Sequence, residues 1–532
     1  MTTAPDDFLT RLGHLAERPL STALVRCAGA HAARETTAGR LLEDCRSAAV
    51  ALRRAGVRRG DKAVVMTRDA HALLTAVYGL VRLGAVPVLI EPRAEVRRCL
   101  DEIGPGVFVG EPLAHAGRLL LGWGRGHVRT TLVTGRPFPG RGRPPGGGPP
   151  APASDAGAPF PPLPRPHPDA LAMIAFTSGS TGRPKGVEYR YATLAGQLTT
   201  LAGLLRPTPD DVLLSCFLPF TLLGPLLGMT TVAPQVDHLA PARTRPAHLV
   251  GPLREQAATV VAASPTVLGL IVRQALRESL TFPSVRRVLS FGAALRPRLA
   301  EALAAVLPAQ AEILSVYGAT ECLPVAAVTG AALRELRTQP PPGHGGTCLG
   351  RPLPGVAVRV LDADATGLGE IAVAGPVVSP AYHLRPEATA AARTTADGTL
   401  WHRTGDLGRL DPDGRLWYLG RKAHLVTGDG LALTTEDVET AADAVAGVRR
   451  TALVGVGAPG RQRAVLCVEP EPGTHRETLL GRLRAALAPH PYGRRIDTVL
   501  FHPCLPTDIR HNAKIDRGRL AAYAARHRRG RA

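Results

Sequence analysis

At Phe176 an apolar run, Leu171-Ala172-Met173-Ile174-Ala175, opens into the segment FTSGSTGRPKG, which ends at Gly186. The run has the length and residue types of a strand. The segment that follows cannot prolong it, because two serines, two threonines and three glycines in eleven residues favour turns over a ladder. Glycine lets successive backbone N–H groups turn into one concavity. The hydroxyls add donors, and Lys185 adds a mobile positive charge. A strand that ends in such a loop suits the phosphates of a nucleotide. The P-loop of NTPases is a poor match, since Pro184 precedes the lysine where that motif has glycine. A flexible Ser/Gly linker is also a poor match, since it has no use for a Pro-Lys-Gly turn directly after an apolar strand.

The 64 basic residues include only four lysines, Lys62, Lys185, Lys422 and Lys514. Arginine serves this chain wherever a generic cation suffices, so a retained lysine marks a place for a compact ammonium. Chance explains Lys62, ahead of an apolar strand. The other three fall in segments with chemical character.

The first 130 residues alternate between strand-like and helix-like segments: Lys62–Met66 as strand, Ala70–Leu83 as helix, Val86–Ile90 as strand. This alternation predicts an α/β layered fold, and 532 residues suit two or three domains. Residues 135–168 are dense in Pro and Gly and read as a loop. Near residue 420 the character changes, after the strand-like Leu416-Trp417-Tyr418-Leu419. We therefore expect a large domain over 1–420 and a small one over 421–532. The small domain has strands at Thr451–Val456 and Ala464–Val468. A capping box, Thr474-His475-Arg476-Glu477, starts a helix there with Leu479, Leu480, Leu483 and Leu487 on one face, ending at Pro489.

A formal charge of +20 invites a nucleic-acid reading. The arginines, however, are spread along the chain apart from the tail Arg526–Arg531, and no helix-turn-helix, zinc or RNA-binding signature accompanies them. We expect no nucleic-acid partner, only a basic surface that draws anionic substrates. Eight scattered cysteines form no C-x-x-C pair, which argues against a zinc site or a disulfide framework. The N-terminal MTTAPDDFLT lacks a signal-peptide pattern. The longest apolar stretch, Phe217–Met229, is broken by Pro219, Gly224, Pro225 and Gly228 and is too short to span a bilayer. A cytoplasmic protein is the expectation.

Further segments join the phosphate loop: Val316-Tyr317-Gly318-Ala319-Thr320-Glu321, Arg403-Thr404-Gly405-Asp406 and Arg510-His511-Asn512-Ala513-Lys514. With Ser290-Phe291-Gly292-Ala293-Ala294, Gly369-Glu370-Ile371 and Gly420-Arg421-Lys422, they resemble in order and spacing the core motifs of the adenylate-forming superfamily of acyl-CoA synthetases, adenylation domains and luciferases. The resemblance implies a large N-terminal domain of several subdomains, a small mobile C-terminal α/β domain, and ATP and Mg²⁺ as cofactors. It also implies roles. Tyr317 and Gly318 would flank adenine beside Gly292, Ala293 and Ala294, and Asp406 would accept from the ribose hydroxyls with Arg421 nearby. Thr177, Ser178, Gly179, Ser180, Thr181, Gly182, Lys185 and Thr320 would surround the phosphates, Glu321 would ligate Mg²⁺, and Lys514 would reach the α-phosphate and the substrate carboxylate.

Within that superfamily the chain resembles the β-lactone synthetases of bacterial olefin biosynthesis and related pathways, through Tyr317–Val325, Gly420–His424 and Asp508–Ile515. Leu83–Leu89 and Gly224–Thr230 are also similar. The same segments depart from thioester-forming members. The hinge aspartate is Ala423, Gly428 is followed by Asp429-Gly430 instead of the usual Gly-x-Arg, the glycine before the terminal lysine is Ala513, and Pro506 lies two residues further from Lys514 than usual. The implied reaction is adenylation of a 2-alkyl-3-hydroxy fatty acid, then attack of its own 3-hydroxyl to close a β-lactone. Phe217, Leu218, Phe220, Leu222, Leu223, Leu226, Leu227 and Met229 are candidates for an alkyl channel, and His511 for a base. The alternatives are a fatty acyl-CoA or acyl-carrier-protein ligase and a non-catalytic nucleotide-binding scaffold. The resemblance implies a 3-keto reductase and a β-lactone decarboxylase as pathway partners.

Overall fold

Two large sheets set the architecture of this computed structural model, which describes residues 8–29, 31–90, 95–134, 166–177, 183–338, 345–428, 430–507 and 515–529. Most of the expected loop, residues 135–165, lies outside the described residues. The first sheet has six strands, in the order Thr130–Val133, Val107–Gly110, Lys62–Met66, Val86–Leu89, Leu171–Phe176 and Gly186–Arg190. All pairs are parallel except the last, where Phe176 lies opposite Gly186. Parallel neighbours need crossovers, and helices supply them. Ala70–Arg82 links two of these strands, started by the Asp69 carboxylate accepting from the Ala72 N–H at 2.8 Å. Every residue of that helix but His71 and Arg82 is buried, as expected of a helix apolar almost all round.

The second sheet has fourteen strands among the described residues. Its parallel centre comprises Thr22–Ala28, Thr230–Ala233, Val212–Ser215, Val260–Ala263, Arg287–Ser290 and Glu312–Ala319. Val260–Ala263 is buried throughout, the pattern of a strand covered on both faces. From Cys322–Thr329 the pairing turns antiparallel through Thr347–Pro352, Leu416–Arg421, Thr399–Leu410, Gly369–Ala374 and Ala357–Leu361. One apolar core joins the two sheets, with Leu24, Leu74, Tyr78, Leu198 and Leu226 in it. Tyr78, fully buried, donates its hydroxyl to the Leu222 carbonyl at 2.6 Å.

After the strand Leu416–Arg421 come a three-stranded sheet, Val448–Val456, Arg463–Pro470 and Ile496–Phe501, and the helices Thr435–Asp443, Arg476–Leu487 and Arg517–Arg529. These bury cores of their own around Leu453, Leu466 and Leu479 and around Val454, Cys467 and Leu520. Leu479, Leu483 and Leu487 are buried as their spacing predicts, whereas Leu480, expected with them, is only partly buried. The capping box is corrected: His475, not Thr474, sits at the N-cap, and no side chain caps the helix. Among the described residues no helix is long and apolar enough to cross a membrane.

Candidate active site

The residues singled out in the sequence meet in one cavity of about 1940 Å³, lined by both sheets and by the C-terminal unit. Thr177, Lys185, Gly292, Ala293, Ala294, Tyr317, Gly318, Thr320, Glu321, Asp406 and Arg421 all line it. Ser178, Gly179, Ser180, Thr181, Gly182, His511 and Lys514 lie outside the described residues. Their flanks are informative. The Thr177 N–H donates to the Lys185 carbonyl (3.0 Å) and the Lys185 N–H to Thr177 Oγ1 (3.1 Å), a reciprocal pair that closes the stem of the glycine-rich segment. Thr507 and Ile515, on either side of the segment with Lys514, bridge to each other and line the same cavity.

At one end, cross-strand pairing sets the geometry. Asp406 and Arg421 are register partners on neighbouring antiparallel strands. Arg421 Nε stands 2.9 Å from Asp406 Oδ1, and its guanidinium donates to the Thr404 carbonyl at 3.1 Å. The Tyr317 hydroxyl donates to Asp406 Oδ2 at 2.6 Å. That contact revises the expected picture: one carboxylate oxygen is already engaged by the tyrosine. Burial and the Asp406 charge push the Tyr317 hydroxyl well above its ordinary range, so it remains a donor. The Arg421 contact at Oδ1 is an ion pair without hydrogen-bond alignment, and Oδ1 has no hydrogen-bond partner among the described residues although it is buried. Buried acceptors are normally satisfied, so this atom fits a hydroxyl donor from a bound molecule such as a ribose. Gly420 makes the strand crossing possible: its φ is +129°, and a Cβ there would lie 2.4 Å from Thr435 Oγ1.

Glu321 sits in the turn between the strands Glu312–Ala319 and Cys322–Thr329. The Tyr382 hydroxyl donates to its Oε1 at 2.7 Å, and the Ser379 N–H donates to its carbonyl at 2.8 Å. Burial opposes the Glu321 charge, but His402, the Tyr382 hydroxyl and Arg393 outweigh it and hold the carboxyl below the usual range. His402 is itself pushed down to about 4 by burial and by Arg393, so at neutral pH the cation facing Glu321 is Arg393. Among the described residues no three His, Cys, Asp or Glu side chains gather as a metal site. One carboxylate with phosphate oxygens is nonetheless a common Mg²⁺ set, so Glu321 fits as a single protein ligand.

Besides lining the cavity, the Lys185 ammonium stands 4.7 Å from the centroid of the Tyr382 ring, a cation–π contact that ties the end of the glycine-rich segment to the residue that supports Glu321. Tyr382 itself escaped the sequence reading, since nothing in Pro380-Ala381-Tyr382-His383 marks it. Tyr189 was missed as well; its hydroxyl donates to the Thr320 carbonyl at 2.6 Å and fixes that turn. Lys422 pairs with Glu370 at 3.0 Å. His424, two residues on, lines the cavity with its pKa pushed down to about 4 by burial and the charges of Arg517 and Arg421.

The other end is apolar. Phe217, Leu218, Phe220, Leu222, Leu223 and Leu226 line it, joined by Leu73, Val77 and Val81 from one helix and Leu194, Leu198 and Leu201 from another. Each trio is spaced to share one helix face. Leu227 and Met229, expected with them, are buried in the core instead and do not line the cavity. Phe220 packs on Phe217 and Phe291, with centroids 5.2 and 4.5 Å away, where the apolar end meets Gly292-Ala293-Ala294.

The model of the family described as AMP-binding enzyme matches residues 14–383. The chain is 39% identical to the olefin beta-lactone synthetase of Stenotrophomonas maltophilia (strain K279a), over 98% of each chain. It is 38% identical to that of Xanthomonas campestris pv. campestris, over 96% of each. The O-succinylbenzoate coenzyme A synthetase of Bacillus subtilis, solved in complex with ATP and magnesium ion, superposes with a TM-score of 0.75 at 21% identity, covering 96% of this chain and 98% of that one.

Proposed function

We propose, from the premise that this chain belongs to the AMP-binding enzyme family, that it adenylates a 2-alkyl-3-hydroxy fatty acid with ATP and closes the product to a β-lactone. The observation that carries this reading is the continuity of one cavity, with an unsatisfied ribose-matching acceptor at one end and helix-lined apolar walls at the other. Asp406 Oδ1 accepts from a ribose hydroxyl, while Tyr317, Gly318 and Gly292-Ala293-Ala294 flank the base. Thr177, Ser178, Gly179, Ser180, Thr181, Gly182, Lys185 and Thr320 surround the phosphates. Glu321 would hold Mg²⁺, which would neutralise charge on the phosphate oxygens. Residues 421–532 form a lid that brings Lys514 to the α-phosphate.

A substrate carboxylate oxygen attacks the α-phosphorus and pyrophosphate leaves, with Lys514 offsetting the charge that builds. The substrate's 3-hydroxyl oxygen then attacks the activated carbonyl carbon, its proton passes to water, and the bond from that carbon to the AMP oxygen breaks, AMP leaving with the bonding pair. The apolar walls hold the alkyl chains so that hydroxyl and carbonyl lie in near-attack geometry. The lactone-closing step draws on the likeness to the olefin beta-lactone synthetases and on Ala423 at the hinge, where thioester-forming enzymes have aspartate. All eight cysteines are unpaired, in keeping with a cytoplasmic setting, between a 3-keto reductase and a β-lactone decarboxylase.

Incubation with ATP, Mg²⁺ and a 2-alkyl-3-hydroxy acid, with no thiol present, tests the reading. Stoichiometric pyrophosphate, AMP and β-lactone are expected. AMP formation that strictly requires coenzyme A or a carrier protein would assign the chain to the acyl-thioester ligases.

A further inference from the structure

Far along the chain from the motifs that line the cavity, the helix Pro112–Leu121 breaks the usual economy of apolar surface. Of its ten residues only Ala114 is buried. Leu113, Leu119, Leu120 and Leu121 are 65, 67, 84 and 56% exposed, and Val133 on the neighbouring edge strand Thr130–Val133 is 45% exposed. His115 Nε2, 2.9 Å from the Leu132 carbonyl, holds helix and strand side by side, and Leu119, Leu120 and Leu121, each about 100° on from the last, ring the final turn of the helix. Isolated exposed leucines need no explanation, but a cluster of this kind marks an interaction surface.

What surrounds the cluster selects the partner. The helix ends at Gly122 in the left-handed conformation (φ +66°), and a Cβ placed there would lie 3.9 Å from both the Arg125 guanidinium carbon and an Arg97 guanidinium nitrogen. Two like charges therefore converge beside the leucines, both exposed, and neither is paired with a carboxylate among the described residues. Residues 112–134 contain no acid. Glu111, just before, is taken by Arg68 at 2.8 Å, and Glu95 by Arg98 at 2.7 Å. Asp101 is the nearby acid left on the adjoining helix Val96–Ile103. Trp123 packs its ring against Gly117 on the same helix, 3.3 Å from where a Cβ would sit. Leucines to insert, guanidinium groups to meet phosphates and a tryptophan at the junction are the features of an interfacial membrane anchor.

We propose that this helix end docks the protein on an anionic lipid bilayer, with Leu119, Leu120 and Leu121 entering the headgroup boundary and Arg97 and Arg125 on lipid phosphates. The formal charge of +20 favours the same surface at longer range. The inference does not depend on the reaction, although a long-chain acid would be delivered from such a surface. A protein partner is the competing occupant, and convergent unpaired cations beside an apolar helix end in an acid-free stretch favour lipid over it.

Sedimentation of the full chain with vesicles tests this. Binding is expected to phosphatidylcholine vesicles containing phosphatidylglycerol, with little to phosphatidylcholine alone, and it is expected to weaken with salt. Arg97→Gln and Arg125→Gln should each weaken it about fivefold, and the double change Leu119→Ser with Leu120→Ser about tenfold or more. Pyrophosphate release with a water-soluble short-chain 3-hydroxy acid should be the same in all variants, which separates a lost surface from a lost fold or a lost reaction. No binding to anionic vesicles, or equal binding by the variants, overturns the proposal. Co-purification of a specific protein that these substitutions abolish, without vesicle binding, would reassign the face to that protein.

Discussion

At the scale of single residues, Asp406 and Glu321 do the most and differ in what their neighbours leave free. Asp406 spends one oxygen on Tyr317 and offers the other. Asp406→Asn should raise the KM for ATP about 10- to 100-fold, the range expected when a hydrogen bond to a charged acceptor is lost. An unchanged KM would remove Asp406 from the nucleotide site. Glu321 is held ionised partly by the Tyr382 hydroxyl. A carboxyl depressed in the folded protein loses its charge only as pH falls through that lowered value. Tyr382→Phe removes one of the groups that depress it, so the acidic limb of the kcat/KM profile should move to higher pH. A limb that stays in place means that Glu321 does not govern it. The motif residues were legible because glycine, hydroxyl, carboxylate and lone lysine are rare together in a fixed order. Tyr382 and Tyr189 were not, because a supporting side chain reaches its site through the fold and leaves no local pattern.

Among elements, the strands Lys62–Met66, Val86–Leu89 and Leu171–Phe176 could be read because their apolar runs end in glycine-, proline- or polar-rich segments. Of the antiparallel series from Thr347 to Arg421 only Leu416–Leu419 could be read: Thr347–Pro352 and Thr399–Leu410 carry Gly inside the run, and Thr347–Pro352 finds its partner Leu416–Arg421 far along the chain. The N-cap at His475 shows the same limit, since a capping sequence matters only if the helix starts where the sequence permits. One polar cluster binds several elements at the base of the larger sheet. Asp211, almost fully buried, accepts from the Thr208 N–H (2.7 Å), from Thr259 Oγ1 (2.7 Å) and from Arg286 Nε (2.6 Å). Burial opposes its charge, and these donors outweigh it, holding the carboxyl far below its ordinary value. Asp211→Ala should destabilise the protein by about 2–4 kcal/mol, read from the denaturant midpoint. The contribution is present above the unfolded-state pKa and is lost as pH falls towards the folded value. The difference between variant and parent should therefore shrink in acid, and a constant difference would assign the loss to packing.

For the molecule as a whole, the sheets and the C-terminal unit matter because together they enclose one cavity. Arg296, at the N-cap of the helix Pro297–Ala304, reaches Glu436 at 3.0 Å and Asp443 at 3.4 Å on the helix Thr435–Asp443. Thr347 Oγ1 donates to the same Glu436 at 2.6 Å. These contacts seat the C-terminal unit over the cavity, so the Asp406 end, the apolar end, Thr507 and Ile515 face one space. None of this could be read from sequence, because it depends on how separate cores dock. The proposed reaction joins a carboxylate to AMP in this space and releases it through the substrate's own hydroxyl. The most direct measurement follows oxygen. With ¹⁸O in both carboxylate positions of a 2-alkyl-3-hydroxy acid, and no thiol present, mass spectrometry should find one labelled oxygen in AMP and one in the carbonyl of the β-lactone. Unlabelled AMP, or label transfer that appears only when a thiol is added, would contradict the account.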